Sequence, residues 1–257
     1  MLLAINANNT NTVFAVYDGP NLRGAWRCAT EPKRTADEYV VWLTQLMDFE
    51  NLTRSDIDGA ILSSVVPATV FNLKLLCRRY FACDPLVVGD PKCRLGIKVL
   101  LDRPEEVGAD RVVNAVGGKD RYQAPLIVVD LGTATTFDVV DADGNYAGGI
   151  IAPGINLSLQ ALEMAAAKLP HVAIERPQRV IGKSTVPAMQ SGLFWGYVGL
   201  IEGLVERIRG EFGAPMHVVA TGGLSPLFAG ATQVMQNIDP DLTLWGLNLI
   251  YQRNRVP

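Results

Sequence analysis

Histidine and cysteine are scarce in this sequence of 257 residues, which has two histidines and four cysteines. The cysteines stand at positions 28, 77, 83 and 93, so they form no CxxC pair, and neither His171 nor His217 is close to them in the sequence. Zinc–thiolate sites need closely spaced ligands, and a Ser–His–Asp site needs a well-placed histidine. The sequence therefore argues against both kinds of site. Dispersed thiols indicate a reducing, cytoplasmic compartment.

Strong charge and long apolar runs are also lacking. The net charge is −3, and 19% of the residues are charged. This composition predicts no binding to nucleic acid or to an anionic membrane surface. No apolar run approaches the ~20 residues that span a bilayer. The first apolar run stops at Asn6 without a preceding basic segment, so we expect no signal peptide.

A hydroxyl-rich turn between two apolar segments is the most informative motif. Residues 127–131 read Ile-Val-Val-Asp-Leu, residues 132–136 read Gly-Thr-Ala-Thr-Thr, and a β-branched run continues to position 140. This pattern predicts a strand, a tight turn and a second strand. Gly132 would let the backbone approach a ligand, and the hydroxyls, backbone amides and Asp130 suit phosphate oxygens and a cation. Taken alone, the motif is equally compatible with a structural hairpin whose threonines serve β-propensity.

A second copy of this pattern begins near the N-terminus, between residues 2 and 19. Setting Asn6 over Asp130 without gaps puts Asn8 over Gly132 and Phe14 over Asp138. Two such hairpins predict a duplicated α/β fold with one phosphate loop in each half and ligand between the halves. The first half reads β-β-β-α-β-α-β, which suits a ribonuclease-H-like domain. We expect one domain over residues 1–117 and another over residues 118–257.

Three further segments are candidate ligand sites. Residues 108–111 (Gly-Ala-Asp-Arg) predict a loop entering a helix, although an acid there is also favoured simply by the helix dipole. Residues 180–185 resemble the end of a Walker A motif but lack its upstream glycine and strand, so a substrate loop or a plain helix N-cap is the better interpretation. The Gly222-Gly223 turn after an apolar strand suits the flat face of a base or ribose.

Two helices are predicted in the second half. Residues 158–169 have apolar residues at helical spacing, and we expect Met164 in the core. Residues 188–209 form a long apolar pattern with glycines at 192, 196, 199 and 203. These glycines would permit close packing against another helix or a second subunit.

Five motifs together resemble the type III pantothenate kinases of the acetate and sugar kinase/heat-shock 70/actin superfamily, over essentially the whole chain. They are Asn9-Thr10-Asn11-Thr12, Gly108-Ala109-Asp110-Arg111, Asp130-Leu131-Gly132-Thr133-Ala134-Thr135-Thr136, Gly182-Lys183-Ser184-Thr185 and Ala220-Thr221-Gly222-Gly223. The resemblance implies an α/β fold of two ribonuclease-H-like domains with the active site in the cleft between them. It also implies ATP-dependent phosphorylation of pantothenate in coenzyme A biosynthesis, with Mg²⁺ and a monovalent cation (K⁺ or NH₄⁺), by a homodimer with pantothenate near the subunit interface.

The resemblance assigns roles to residues that match the family's motifs. Asp110 would be the base that takes the proton of the pantothenate hydroxyl, and the rest of the substrate site would be Gly108, Ala109, Arg111 and Thr185. ATP would be bound by Asn6, Asn8, Asn9, Thr10, Asn11, Thr12, Thr133, Gly222 and Gly223. Asp130 would hold the monovalent cation, and Asn6 would occupy the Mg²⁺ position.

The chain departs from the family pattern in the first phosphate loop, where Asp-x-Gly-Asn-Thr is replaced by Asn6-Ala7-Asn8-Asn9-Thr10. An uncharged amide is a weaker ligand for a hard cation than a carboxylate is, and the Asn8 side chain would intrude where phosphate approaches. Leu101 also replaces a tyrosine that the family often has at the pantothenate site. We therefore expect the fold and substrate site to be retained and turnover to be weakened.

Two alternatives remain beside the kinase hypothesis. A ligand-binding or regulatory member of the same family is favoured by the neutral first loop and opposed by Asp110, Asp130 and Thr133. Hydrolysis of a phosphorylated metabolite is opposed by the substrate loop at residues 108–111.

Overall fold

The computed structural model describes residues 1–165 and 170–255. The internal contacts of the chain divide it into two units. The first unit contains residues 1–120 and the segment that begins at Asp241, and the second unit runs from Arg121 to Pro240. The first division thus falls at residue 120, close to the expected 117. The C-terminal segment, however, groups with the first unit, whereas the sequence interpretation had placed it in the second.

The described residues form ten strands and six α-helices. The strands are β1 Leu2–Ala7, β2 Asn11–Asp18, β3 Asn21–Ala29, β4 Gly59–Ser64, β5 Pro85–Val87, β6 Leu126–Leu131, β7 Ala134–Val140, β8 Tyr146–Pro153, β9 His217–Thr221 and β10 Asn237–Ile238. The helices are α1 Ala36–Phe49, α2 Pro67–Tyr80, α3 Ala109–Arg121, α4 Ile155–Ala165, α5 Thr185–Phe212 and α6 Leu242–Asn254.

Each unit contains a five-stranded mixed sheet, and the two sheets have the same topology. The first has the order β3-β2-β1-β4-β5 and the second the order β10-β9-β6-β7-β8. In both sheets the first three strands form an antiparallel meander, while the last two run parallel to the first strand of the unit. This order confirms the duplication predicted from the two hairpins and the order β-β-β-α-β-α-β in the first half.

The central strand of the first sheet is buried on both faces. Leu3 and Ile5 belong to a core with α1 and α2, whereas Leu2 and Ala4 belong to a second core with α3 and α6. Side chains of a strand alternate between faces, so the next residue of the second set is Asn6. Its side chain therefore lies on the face that packs against α3 and α6.

Local signals account for where the first helices begin. Thr35 caps α1 and forms a capping box with Glu38, which follows it by three residues as in the sequence signature of a helix start. Such reciprocal bonds satisfy backbone donors that a helix N-terminus leaves unpaired. Helix α3 buries Val112, Val113 and Val116.

Helix α6 joins the first unit because two glycines allow close contact with α3. A Cβ at Gly246 would meet the carbonyl oxygen of Val113 at 2.2 Å, and one at Gly117 would meet that of Leu242 at 2.6 Å. Any larger residue at either position would separate the helices, so these glycines determine where the C-terminal segment packs.

The second unit packs α5 against its sheet through a core that includes Phe137, Phe194 and Val198. Met164, expected in the core, is 82% exposed on α4, so that prediction is wrong. The helix expected over residues 158–169 is described as far as Ala165, and residues 166–169 lie outside the described part. Among the helices of the described ranges, none is long and apolar enough to span a membrane.

Candidate phosphoryl-transfer site

The first predicted phosphate loop connects β1 to β2 and is closed by backbone and hydroxyl contacts. The Asn8 amide donates to the Asn11 carbonyl at 3.0 Å, and the Thr30 hydroxyl, at the end of β3, donates to the Asn8 carbonyl at 2.6 Å. Thr30 also contacts the buried Thr12 hydroxyl at 2.9 Å. The exposed part of the loop consists of Asn9, Thr10 and Asn11. The loop is therefore held from the protein side, and its tip faces solvent.

The Asn8 backbone adopts ordinary negative-φ geometry. The non-glycine residues with positive φ in the described chain are Asn51 and Ala82. Replacing the family's glycine by Asn8 therefore creates no left-handed strain. Any effect of Asn8 on a phosphate must come from its side chain.

Two side-chain oxygens of this loop are buried without a hydrogen-bond partner among the described residues: Asn6 Oδ1 and Asn8 Oδ1. Asn6 is 4% exposed. A buried polar atom without a partner is costly, so such oxygens fit a site completed by a ligand. A neutral amide oxygen can still coordinate Mg²⁺ or one of its waters, although more weakly than a carboxylate would.

The predicted substrate loop, residues 108–111, enters α3, whose first residue is Ala109. Gly108 accepts the Arg111 amide at 3.1 Å, and the Asp110 carboxylate also accepts that amide at 2.8 Å. A Cβ at Gly108 would lie 2.9 Å from Asp110 Oδ1. Glycine at 108 therefore lets the carboxylate fold against the backbone at the start of the helix.

The Asp110 carboxyl is half-buried, and its burial raises its pKa. The Arg111 amide and the Arg111 charge oppose this effect without cancelling it. Desolvation disfavours the ionised form, whereas hydrogen bonds and cations favour it. A carboxylate with a raised pKa is a stronger base than an ordinary aspartate, which suits general-base chemistry.

The second predicted phosphate loop connects β6 to β7, with Asp130 near the end of β6. Gly132 donates its amide to the Ala134 carbonyl at 3.1 Å, and Thr133 is exposed at the tip. The other two hydroxyls of the motif make internal hydrogen bonds. Thr135 is buried against Tyr197, and Thr136, on the opposite face of β7, donates to Asp138. Thr133 is thus the threonine of this loop whose side chain is exposed.

Two glycines support this loop from behind. A Cβ at Gly154 would meet the Thr133 carbonyl at 2.1 Å, and one at Gly222 would meet Asp130 Oδ1 at 2.4 Å. Gly222 also has a φ of +88°, a conformation that side chains disfavour. Gly223 is exposed with open space where a Cβ would be. Gly222 therefore positions Asp130, while Gly223 presents a surface without a side chain.

Thr185 is the first residue of α5 and is exposed. Ser184 is the N-cap by position, but its side chain makes no capping bond. A Cβ at Gly182 would lie 2.3 Å from the Ala188 amide nitrogen, so this glycine lets the chain fold back onto the first turn of α5. The described segment before α5 contains no strand, which agrees with the rejection of a Walker A motif.

The strand registers correct the alignment of the two hairpins by one residue. Asn6 pairs with Val13, whereas Asp130 pairs with Thr136, so the first loop is one residue longer. The residue equivalent to Phe14 is consequently Phe137, not Asp138, and both phenylalanines are fully buried. The gapless alignment was wrong beyond the loop because a one-residue shift turns every side chain to the other face.

The structure adds residues that sequence reasoning had missed. Thr30 binds the first loop, Gly154 supports the second, and Ser63 lies beside Asn6 on β4. Thr30 and Ser63 are far from the loop in sequence, so no local motif contained them. For Gly154, the sequence shows a Pro-Gly step but cannot show the Thr133 carbonyl that the glycine packs against.

Within the first unit, the Asn6 side chain faces the side of the sheet that α3 covers, and Asp110 lies in the first turn of α3. Within the second unit, Asp130, Thr133 and Gly222 gather at one end of β6. Two ribonuclease-H-like units of matching topology, each with a polar loop after its first strand, define an actin-like fold. A solved structure agrees: an activator of 2-hydroxyisocaproyl-CoA dehydratase from Clostridium difficile, 11% identical, has a TM-score of 0.54 with 98% of this chain and 95% of that one covered.

The comparison of sequences identifies the family within that class. The family model for type III pantothenate kinase matches residues 2–207. A type III pantothenate kinase of Paramagnetospirillum magneticum is 69% identical over 100% of this chain and 99% of its own length. The Rhodospirillum rubrum enzyme of the same name is 66% identical over 99% of both. The chain belongs to the type III pantothenate kinase family, as the five motifs predicted.

Proposed function

We propose that this protein transfers the γ-phosphoryl group of ATP to the primary hydroxyl of pantothenate, giving 4′-phosphopantothenate at the first step of coenzyme A biosynthesis. The observation that carries the proposal is its membership of the type III pantothenate kinase family, with 69% identity over the whole chain to one relative of that name. The retained substrate loop at residues 108–111 supports it.

Asp110 serves as the base that receives the proton of the attacking hydroxyl. Its carboxylate has a pKa raised by burial, and Gly108 and the Arg111 amide fix its position. Phosphoryl transfer needs chiefly positioning and neutralisation of charge, so one oriented base suffices on the acceptor side. Ala109, Arg111 and the exposed Thr185 complete the substrate site.

The two polar loops bind the phosphates. Their amides and hydroxyls, including Thr133, suit phosphate oxygens, and Gly222 and Gly223 suit the adenosine. Mg²⁺ and a monovalent cation, when bound, neutralise charge on the transferring phosphoryl group. Asp130 suits the monovalent cation, and the orphaned oxygen of Asn6 suits the Mg²⁺ site through a weak contact. The weaker contact is the reason to expect reduced turnover.

The working form is a homodimer in the cytoplasm. Support for the dimer comes from α5, where Gly192, Gly196 and Gly199 have open space at their Cβ positions and lie on an exposed stripe. Small residues spaced in this way let two helices approach closely.

ADP release, measured with ATP, Mg²⁺ and K⁺, tests the function. We expect release that requires pantothenate and that falls at least ~100-fold in Asp110→Asn. Release without pantothenate would instead indicate a hydrolase. Binding of ATP and pantothenate with no release would indicate the non-catalytic alternative.

A further inference from the structure

Two adjacent serines at the end of β4 have opposite environments. The Ser64 hydroxyl donates to the Val66 carbonyl at 3.0 Å and contacts the Thr69 hydroxyl at 3.2 Å. The Ser63 hydroxyl is fully buried on the other face of the sheet, and it has no hydrogen-bond partner in the described parts of the chain. Ser64 is therefore satisfied within the protein, whereas Ser63 is not.

Ser63 lies directly beside Asn6. The two residues are register partners in the parallel pair of β1 and β4, so their side chains share the face that packs against α3. Asn6 Oδ1 is the other buried oxygen that no described residue satisfies on that face of the strand pair. Both oxygens therefore lack a partner among the described residues, and because they are neighbours a single bound group can reach both.

The second unit repeats this arrangement. Asp130 and Thr221 are register partners in the parallel pair of β6 and β9, the strands equivalent to β1 and β4. Thr221 Oγ1 is fully buried and has no hydrogen-bond partner among the described residues. The fold thus places a hydroxyl beside the amide or acid at the end of the first strand in each unit.

The hydrogen-bonding chemistry of Asn6 and Ser63 indicates what kind of group could bind between them. An amide oxygen only accepts hydrogen bonds, and a phosphate oxygen that carries no proton cannot donate one. A water bound to a cation can donate to both oxygens. We propose that Ser63 is a positioning residue whose hydroxyl, with Asn6 Oδ1, holds a water of the hydrated Mg²⁺ that accompanies ATP. This inference rests on the proposed function for the presence of ATP.

The test compares Ser63→Ala with the matched control Ser64→Ala. Calorimetry measures the affinity for a non-hydrolysable ATP analogue, once with Mg²⁺ and once with EDTA. We expect Ser63→Ala to weaken binding about three- to tenfold with Mg²⁺ and to leave it unchanged with EDTA, since one hydrogen bond is lost. Ser64→Ala should lower Tm, because its hydrogen bonds are internal, and should leave both affinities unchanged.

A further variant separates a lost contact from a small cavity. Ser63→Cys leaves no cavity but provides only a weak hydrogen-bonding group, so it should show the same Mg²⁺-dependent loss. Equal losses with and without Mg²⁺, no loss in Ser63→Ala, or the same loss in Ser64→Ala would each overturn the proposal. If the unsubstituted protein binds the analogue under neither condition, the proposed function itself fails.

Discussion

Asp110 is subject to two opposing influences. Burial raises the pKa of its carboxyl above the ordinary 3.8, while the Arg111 amide and charge lower it by less. A base must be ionised to accept a proton. We therefore expect the acid-side loss of kcat/KM to have its midpoint at a pH above 3.8. A pH–rate profile measures this midpoint. A limb at or below the ordinary value would show that Asp110 is not the titrating base.

The same carboxylate should reduce stability at neutral pH. A folded-state pKa above the unfolded value favours folding below the unfolded pKa, and this contribution is lost as pH rises through the folded pKa. Asp110→Asn keeps an acceptor for the Arg111 amide but carries no charge. Its Tm should exceed that of the unsubstituted protein at pH 7 and match it near pH 3, while its activity is lost. Equal Tm values at pH 7 would contradict this.

Asn6 should limit the affinity for Mg²⁺. Its Oδ1 is buried without a described partner, so a carboxylate in its place would gain a cation rather than disturb internal bonds. We expect Asn6→Asp to lower the Mg²⁺ concentration for half-maximal ADP release by about 10- to 100-fold. Asn8→Gly is the comparison variant. Because Asn8 has ordinary φ, this change relieves no strain and acts only by removing a side chain. An unchanged Mg²⁺ requirement in Asn6→Asp would refute the expectation.

At the scale of elements, glycines have two different roles at the β6–β7 loop: one permits close packing, and the other leaves the loop open to a ligand. A Cβ at Gly154 would collide with the Thr133 carbonyl at 2.1 Å, whereas one at Gly132 would meet its nearest protein atoms at 3.6 Å. Gly154→Ala should therefore lower stability by about 1–3 kcal/mol and raise KM for ATP. Gly132→Ala should raise KM for ATP with little change in Tm. Thermal unfolding and steady-state kinetics distinguish them, and a large loss of stability in Gly132→Ala would be the contrary result.

The sequence predicted the elements well because their signals are local. Apolar runs on either side of a polar turn predicted the strands of both hairpins. Thr35 followed by Glu38 is a local signature of a helix start, and α1 begins there. The sequence also placed Asp110 at the start of α3 and Asp130 near the end of β6. Each of these predictions depends on residues that are close together in the chain.

What the sequence could not predict depends on distant residues. The one-residue difference between the loops appeared only in the strand register. The packing of α6 against α3 depends on Gly117 and Gly246, which are separated by more than half the chain. Ser63 lies beside Asn6 only because β4 pairs with β1. Met164 is exposed, since helical periodicity in a sequence does not show which face of the helix is covered.

At the scale of the molecule, two units of the same topology carry different chemistry. The first has the neutral pair of Asn6 and Ser63 at the end of its central strands, and the second has Asp130 and Thr221 in the same places. The duplicated fold places a pair of polar residues at the end of the central strands in each unit. The residue types at these positions determine whether the pair is neutral or charged. The first unit also contains Asp110, the proposed base, at the start of α3, so the proposal assigns acceptor activation to that unit.

Assembly is the last property to test at this scale. The exposed stripe on α5 contains Gly192, Gly196 and Gly199, and apart from the adjoining backbone of α5 itself nothing lies within 4 Å of where their Cβ atoms would be. A leucine at Gly199 should improve the intrinsic stability of the helix, since glycine costs about 1 kcal/mol relative to good helix formers. It would also fill the space that a second helix needs. We expect the unsubstituted protein to sediment as a dimer and Gly199→Leu to be a folded monomer.

The control for that experiment is Gln45→Leu, which places the same side chain at an exposed position of α1 in the other unit. It should leave the dimer intact, so that any change in mass is specific to the glycine stripe. The resemblance puts pantothenate near the subunit interface. The Gly199→Leu monomer should therefore raise the KM for pantothenate more than it raises the KM for ATP, each compared with the unsubstituted enzyme. Sedimentation and steady-state kinetics on the same samples link the two effects. A dimeric Gly199→Leu variant would place the interface elsewhere, and a monomer with unchanged KM values would separate assembly from substrate binding.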